Sequence, residues 1–419
     1  MPFLIVLLLS MPSWAVSLDE AVQSSLQKNE IVSQSKSQVK QSEEAVDQIR
    51  GNIYPTISLK ASYLRQPQLA DPIAASLFPK EQTTTNIELT QPLFRGFREF
   101  AALDRQKDLR SAQSHTHVVQ MIDLYQQVAT SYLEVLSLQQ DIRNIEAQQK
   151  IYKDRVRDLQ GRARRGESSS AETLTAQSTA AALDAEYQIQ NSRLRAAREN
   201  FSLLTGLPAE TEVTDLPENE TKQSLKSLED YLARIEERPD MQASKSVASA
   251  ADEEVSIAKG AHWPTIDLTG NYYFTRPEGF SEDLDWDVQL RATLPLFEGG
   301  VTQSKVRMAV LQRSEKDLAA NQMRRKAEAE IKSLYDALRM RVDQLKALKL
   351  SSDLSEKNYQ LLLRDSRRGL ARSLDVQIGL TEYRLAKRNY DQARYQARLE
   401  RIRLELASAQ IPSILTKEM

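Results

Sequence analysis

Gln91-Pro92-Leu93-Phe94-Arg95-Gly96 and Leu294-Pro295-Leu296-Phe297-Glu298-Gly299 are one short motif written twice, and reading them as a pair decides the fold. Pro92 and Pro295 stand 295 − 92 = 203 positions apart. The same offset relates Tyr132 to Tyr335, Arg165-Gly166 to Arg368-Gly369, and Tyr187 to Tyr390. Upstream, Tyr54-Pro55-Thr56-Ile57 answers Trp263-Pro264-Thr265-Ile266 at 264 − 55 = 209, so the first copy holds a slightly longer segment between its two Pro landmarks. Self-similarity over this length marks a repeated supersecondary unit, and the chain reads as an internal two-fold repeat.

Before each Pro-Leu-Phe motif the side chains alternate with a period of two, which predicts strands. Ile53, Pro55, Ile57, Leu59, Ala61 and Tyr63 face one way against Tyr54, Thr56, Ser58, Lys60 and Ser62. The pattern returns at Ile266, Leu268, Gly270, Tyr272 and Phe274, again at Val288, Leu290, Ala292 and Leu294, and more briefly at Ile87, Leu89 and Gln91. Each half thus offers two strands of about ten residues, a length that crosses a bilayer when tilted, with Tyr and Trp near the ends. A soluble hairpin with one buried face fits the alternation as well.

After each motif the period becomes helical. Val118, Met121, Tyr125, Val128, Tyr132 and Val135 follow at steps of three and four, a heptad seam. The second copy supplies Ile331, Tyr335, Leu338, Val342 and Leu345. No Pro interrupts the chain from Gly96 to Arg164, which predicts one helix of roughly 65 residues, about 100 Å long at 1.5 Å per residue. Ala129, Leu133 and Leu136 form a second apolar line, so the helix is expected to pack on two neighbours, as the wall of a helical tube requires. The helices turn back at Arg164-Arg165-Gly166-Glu167-Ser168 and Arg367-Arg368-Gly369-Leu370-Ala371, where Gly admits the left-handed residue that ends a helix. Ser170 and Ser373 are expected to cap the returning helices, with Glu172 and Asp375 in their first turns. The returns end near Pro208 and Pro412, and shorter helices, Leu18 to Arg50 and Ser227 to Lys259, lead into the strand hairpins.

Composition fits an extended helical protein that buries seams rather than a large core: 27% charged, 6% aromatic, 12 Gly, and a mean hydropathy of −0.51. A formal net charge of −2, from 56 basic against 58 acidic residues, argues against nucleic acid as a partner. Cysteine is absent, which removes disulfides, thiol catalysis, Cys-ligated metal and a lipid-bearing Cys. Phe3 to Leu9 followed by Ser13-Trp14-Ala15 fits a secretory signal over residues 1–15, although no Lys or Arg precedes the apolar run. No later segment carries 18 successive apolar residues, so a membrane would be crossed as a barrel.

Helix, strand hairpin, Pro-Leu-Phe-x-Gly and long helical hairpin, given twice after a signal, resemble the TolC family of outer membrane efflux proteins. The likeness is carried by the two Pro-Leu-Phe motifs, with Pro92, Phe94, Gly96, Pro295, Phe297 and Gly299, by Leu18-Asp19-Glu20-Ala21-Val22, and by Leu203-Leu204-Thr205-Gly206. It implies a mainly α fold with a small β part. Long antiparallel helical hairpins would form an α-barrel, and four strands per chain would make 4 × 3 = 12 in a trimeric transmembrane β-barrel. Residues 16–205 form the first repeat, with a strand hairpin at 53–93 and a helical hairpin at 97–205. Residues 206–226 form a linker, and residues 227–411 form the second repeat, with its hairpins at 262–296 and 299–409. The family further implies a homotrimer in outer membrane lipid, reaching into the periplasm, whose helical tips meet a periplasmic adaptor fed by an inner membrane pump. The matching tip positions are Arg165, Gly166, Ser170, Gly369, Leu370 and Ser373, each equally explained by helix capping. Asp375 matches a lumen-facing acid near the tip, whereas Ile378 stands where a second acid would follow.

Other candidate chemistry is weak. His115 and His117, two apart on a helix, point away from each other and read as solvated surface histidines; His262 stands alone beside a strand. Asp283, Asp285 and Asp287 alternate like a calcium loop, but Val288 and Leu294 occupy the positions that need Gly and Glu. No catalytic motif and no cofactor site is expected. The sequence therefore predicts a passive exit duct for efflux or type I secretion, with a soluble coiled-coil scaffold as the competing class.

Overall fold

The computed structural model describes residues 15–67, 70, 79–215, 225–276 and 283–416. The expected signal lies outside them apart from Ala15, as does the middle of the 206–226 linker. In chain order the elements are α1 (Leu18–Lys28), α2 (Glu30–Gly51), β1 (Thr56–Arg65), β2 (Glu81–Phe94), α3 (Arg98–Arg164) and α4 (Ser170–Thr205). The second series is α5 (Leu228–Leu232), a short 3₁₀ turn (Ile235–Glu237), α6 (Pro239–Gly260), β3 (Thr265–Thr275), β4 (Trp286–Thr293), α7 (Val301–Arg367), α8 (Ser373–Ala407) and α9 (Ser413–Thr416). Helices α3 and α7 are each 67 residues long.

Two expected helices are divided. Ser17 and Glu20 form a reciprocal capping box that starts α1, with Glu20 N–H donating to Ser17 Oγ at 3.3 Å and Ser17 N–H to Glu20 Oε2 at 2.8 Å. Asn29 then turns extended, and its Oδ1 accepts from Ile31 N–H at 2.9 Å, so one predicted helix becomes two. In the second series Arg238 precedes Pro239, whose ring disfavours helical geometry in the residue before it, and Arg238 is accordingly extended at ψ 133°.

The chain divides into two compact units. One comprises the stretch ending at Ser35, Val118–Arg238 and the stretch from Arg325 onward. Its main core is the predicted α3 seam: Val118, Met121, Tyr125, Val128, Tyr132 and Val135 are all buried, as are Ala129, Leu133 and Leu136 of the second line. They pack with Leu18, Val22, Leu194, Phe201, Tyr395 and Leu406, so α3 has neighbours on two sides. The α7 seam is thinner: Ile331 and Leu338 are buried with Tyr231, Ile235 and Leu404, while Tyr335 and Val342 pack at the margin. A third cluster joins Tyr152, Leu183, Tyr359, Val376 and Leu380.

The other unit comprises Lys36–His117 and Pro239–Arg324. Its four-stranded antiparallel sheet runs in the order β1-β2-β3-β4. Leu59 lies opposite Ile87, Ile87 opposite Tyr272, and Tyr272 opposite Trp286. Because directly paired residues share a face, this one register fixes the two faces of the whole sheet. The repeated Pro-Leu-Phe motifs differ in conformation. Pro92 and Phe94 are still in β2, paired with Asp267 and Ile266 across a bulge, whereas β4 has ended before Pro295 and Phe297. What the copies share is the following pair of left-handed residues, Gly96-Phe97 (φ 68° and 60°) and Gly299-Gly300 (φ 62° and 86°).

Candidate functional site

The sheet has one apolar and one polar face. Ile57, Leu59, Ala61 and Tyr63 of β1 line up with Ile87 and Leu89 of β2, Ile266, Leu268, Gly270 and Tyr272 of β3, and Trp286, Val288, Leu290 and Ala292 of β4. This face is in the open: Ile57 and Leu59 are each 70% exposed, Trp286 66% and Leu290 64%. Ser58, Lys60 and Ser62, Asn86, Glu88 and Thr90, Asp267, Thr269 and Asn271, and Asp287, Gln289 and Arg291 make the opposite face. Their polar groups are bonded laterally from strand to strand. Lys60 Nζ meets Glu88 Oε1 at 2.6 Å, Asn86 donates to Asn271 Oδ1 at 2.8 Å, and Asn271 donates to Asp287 Oδ1 at 2.9 Å. Asp287 is thus a member of this ladder, while Asp283 and Asp285 are exposed before β4. Among the described residues neither β1 nor β4 has a strand on its outer edge.

A contiguous apolar face of this extent is unstable in water, and an open strand edge presents unpaired N–H and C=O groups. Both problems disappear if several sheets join edge to edge in lipid with the polar face inward.

At the first helical turn, Gly166 is left-handed at φ 75°, its N–H donates to Ala163 O at 3.1 Å, and Glu167 N–H donates to Arg162 O at 2.9 Å. The second turn repeats this geometry: Gly369 is at φ 77°, its N–H donates to Ser366 O at 3.0 Å, and Leu370 N–H donates to Asp365 O at 2.9 Å. Both are closures of the kind expected from the Gly positions. Leu370 projects 76% exposed. Arg165 pairs with Glu167 at 3.0 Å, and its guanidinium holds the Glu167 carboxyl below the usual carboxylate range.

The expected caps are displaced by one residue. Ser169, not Ser170, caps α4, its Oγ accepting from Ala171 N–H at 3.1 Å; Ser170 is the first helical residue. At α8 the capping position is held by Arg372, and Ser373 is already helical. The orphan Arg372 N–H is satisfied instead by Asp375, whose Oδ2 accepts it at 3.1 Å and also receives Arg372 Nε at 3.2 Å. Arg372 therefore holds the Asp375 carboxyl below its ordinary range. Ser373 is occupied otherwise: Arg155 of α3 donates to its carbonyl at 2.7 Å and to its Oγ at 2.8 Å, tying the second turn to the first hairpin. Arg155 had no period or motif to single it out in the sequence.

Three further groups escaped sequence reading. Asp215, at the end of the described linker, accepts from Arg394 at 2.7 Å and from the buried Arg398 at 2.7 Å. The single Tyr132 hydroxyl proton is shared between Thr214 O at 2.5 Å and Val16 O at 3.0 Å, stitching the start of the described chain to the linker; burial pushes its hydroxyl far up. Asp141 and Asp391, both buried, lie in a network with Gln392, Asn144, Arg388 and Lys387. Burial raises the Asp141 carboxyl. The signal for this network was a charge within an otherwise packed stretch, Asp141 beside Ile142, which packs against the α3 core. His115 and His117 are half-buried on α3 rather than fully solvated; burial and Lys36 push the His117 imidazole down. His262 is exposed.

The family model for outer membrane efflux proteins matches this chain twice, over residues 21–207 and 233–410. The proteases secretion protein PrtF of Dickeya chrysanthemi is 21% identical over 287 residues, amounting to 66% of this chain and 61% of PrtF, so the match spans about three-fifths of that relative. CusC, solved in a study of folding and transmembrane channel formation, superposes with a TM-score of 0.80 at 16% identity, over 93% of this chain and 91% of its own. The outer membrane protein VceC of Vibrio cholerae gives 0.78 at 17% identity, over 93% and 95%. At these identities the solved structures establish the fold, long helices with a small antiparallel sheet. With both halves matched by the family model, the chain belongs to the outer membrane efflux protein family.

Proposed function

We propose that this protein is the outer membrane channel subunit of an efflux or type I secretion assembly, passing substrates passively from a periplasmic adaptor and inner membrane pump to the outside. The protein belongs to the outer membrane and extends into the periplasm, as its family does. The observation that carries the reading is the sheet, apolar and exposed on one face, polar and laterally bonded on the other, and, among the described residues, open at both edges. Closure by like copies supplies strand partners for β1 and β4, places Ile57, Leu59, Val288 and Leu290 against lipid, and leaves a wet interior. Three copies would give twelve strands. A soluble scaffold would account for the α3 seam but leaves the apolar face in water.

The helical hairpins supply the periplasmic part, with Arg165, Gly166, Ser170, Gly369, Leu370 and Ser373 at the turns offered to the adaptor and Asp375 as a candidate for the lumen constriction. The likeness to PrtF supports a polypeptide cargo, and the likeness to efflux channels a small-molecule one. The reading is tested by fractionation: heat-resistant trimers in detergent-extracted outer membranes are expected, and a soluble dimer would overturn it.

A further inference from the structure

The two strand hairpins keep one register. Thr56 stands opposite Thr90 and Thr265 opposite Thr293, so the offsets that relate the repeats, 265 − 56 = 209 and 293 − 90 = 203, carry the β1–β2 pairing onto the β3–β4 pairing without a slip. The hairpins are joined to each other through β2 and β3. There Leu89 faces Gly270, Thr90 faces Thr269, Gln91 faces Leu268 and Pro92 faces Asp267; Leu93 is then left over as a bulge, and Phe94 faces Ile266. In the repeat β4 is the counterpart of β2, and β1 of β3, yet among the described residues the outer edges of β4 and β1 carry no strand. Just past β4, Leu296 and Phe297 are each 90% exposed, whereas Phe94, the counterpart of Phe297, is half-buried.

We propose that β4 pairs with β1 of a second copy of this chain in the register that β2 keeps with β3. The inference deepens the proposed channel reading and rests on it. Closing a sheet into a barrel fixes the stagger between strands, and a ring built from like hairpins closes evenly when every junction carries the same stagger. Transferring the internal junction by the repeat offsets, 89 + 203 = 292 and 270 − 209 = 61, sets Ala292 opposite Ala61 of the partner subunit. Thr293 then meets the partner's Lys60, Leu294 the partner's Leu59, and Leu290 the partner's Tyr63. Ala292 and Leu290 lie on the apolar face of the sheet, as do Ala61 and Tyr63, while Thr293 and Lys60 share the polar face. A slip by one residue would set apolar against polar side chains along the whole seam. A slip by two keeps the faces, and there the repeat decides. The bulge transfers with the register: Leu296 takes the place of Leu93, β4 is prolonged through Phe297, and Phe297 reaches the partner's Ile57 instead of the partner's Thr56.

The test is disulfide capture in a chain that has no cysteine of its own. Directly opposed residues on antiparallel strands have Cα atoms about 4.5–5.5 Å apart, within the span of about 4.4–6.8 Å that a disulfide bridges, whereas a slip by two moves them to about 7–8 Å. Within one chain β1 and β4 are three strand spacings apart, about 14 Å, so a link must join two copies. Full-length Ala61→Cys/Ala292→Cys, oxidised in outer membranes and run on a denaturing non-reducing gel, is expected to lose its single-chain band to covalent dimers and trimers that a reductant reverses. Lys60→Cys/Thr293→Cys should do the same from the polar face. Ala292→Cys combined with Leu59→Cys or with Tyr63→Cys, the two-residue slips, should keep the single-chain band. Phe297→Cys should link to Ile57→Cys and not to Thr56→Cys. Linkage strongest in a slipped pair would overturn the register, as would trimers of both in-register variants that assemble without linkage. Linkage of Phe297→Cys to Thr56→Cys would overturn the transferred bulge. Wild-type protein that forms no heat-resistant trimers would instead overturn the channel reading, and this inference with it.

Discussion

Gly96 and Gly299 occupy the same place in the two copies and share a left-handed backbone, φ 68° and 62°, so alanine at either site bears the same local strain. A left-handed residue with a Cβ costs about 1–2 kcal/mol. The surroundings then separate the two. A Cβ on Gly96 would stand 2.2 Å from the carbonyl oxygen of Gly260, at the end of α6, and 2.9 Å from Trp263 Cβ, whereas one on Gly299 would meet nothing within 4 Å. The obstruction at Gly96 is backbone, so relief requires shifting the α6 terminus by roughly an ångström, and overpacking of this kind adds about 1–3 kcal/mol. Gly299→Ala is therefore expected to cost about 1–2 kcal/mol and Gly96→Ala about 2–5. Denaturant unfolding in detergent, followed by tryptophan fluorescence, reads the difference and places a reporter, Trp263, at the contact. Equal destabilisation by the two substitutions, or a milder effect at Gly96, would refute the claim that close approach to α6 is what requires glycine there.

Tyr132→Phe removes the hydroxyl shared by Val16 O and Thr214 O, and a cost of about 1–2 kcal/mol in the same unfolding assay is expected, with export retained. Asp141→Asn probes the buried network. Burial raises the folded pKa of this carboxyl above its unfolded value, so its contribution to stability is full below about pH 4 and fades as pH rises through the folded pKa. The asparagine variant should match or exceed the wild type in melting temperature at pH 7 and lose that standing as pH falls toward about 4. A gap independent of pH would contradict this. Gly369→Pro demands φ near −65° where the turn holds 77°, and it deletes the N–H that bonds Ser366 O. Export is expected to cease while trimers remain in the outer membrane; unchanged export would remove the second turn from the working surface.

Much of this was legible in the chain because it is local. Period-two alternation at Ile57-Leu59-Ala61-Tyr63 and at Val288-Leu290-Ala292 is a property of successive Cβ directions in any strand, and the steps from Val118 to Val135 are a property of any helix. Those patterns settled which side chains share a face, and the seam residues of α3 are indeed buried. Glycine at 166 and 369 settled where the long helices turn, since its left-handed freedom belongs to the residue alone. What only the tertiary structure decided involves groups distant in sequence or competing for one partner. Arg372 holds the capping position of α8 with Asp375 accepting its N–H, while the oxygens of Ser373 accept from Arg155, 218 positions away. Pro92 stays in its strand opposite Asp267 beside a bulge, whereas β4 ends at Thr293, opposite the first residue of β3, before Pro295 is reached. Asp267 lies opposite Arg291 in the register and yet is bonded by Arg95, 172 positions away. Periodicity assigns a side chain to a face, but which of several charges on that face win each other is set by distances of an ångström, and those exist only once the strands are in register.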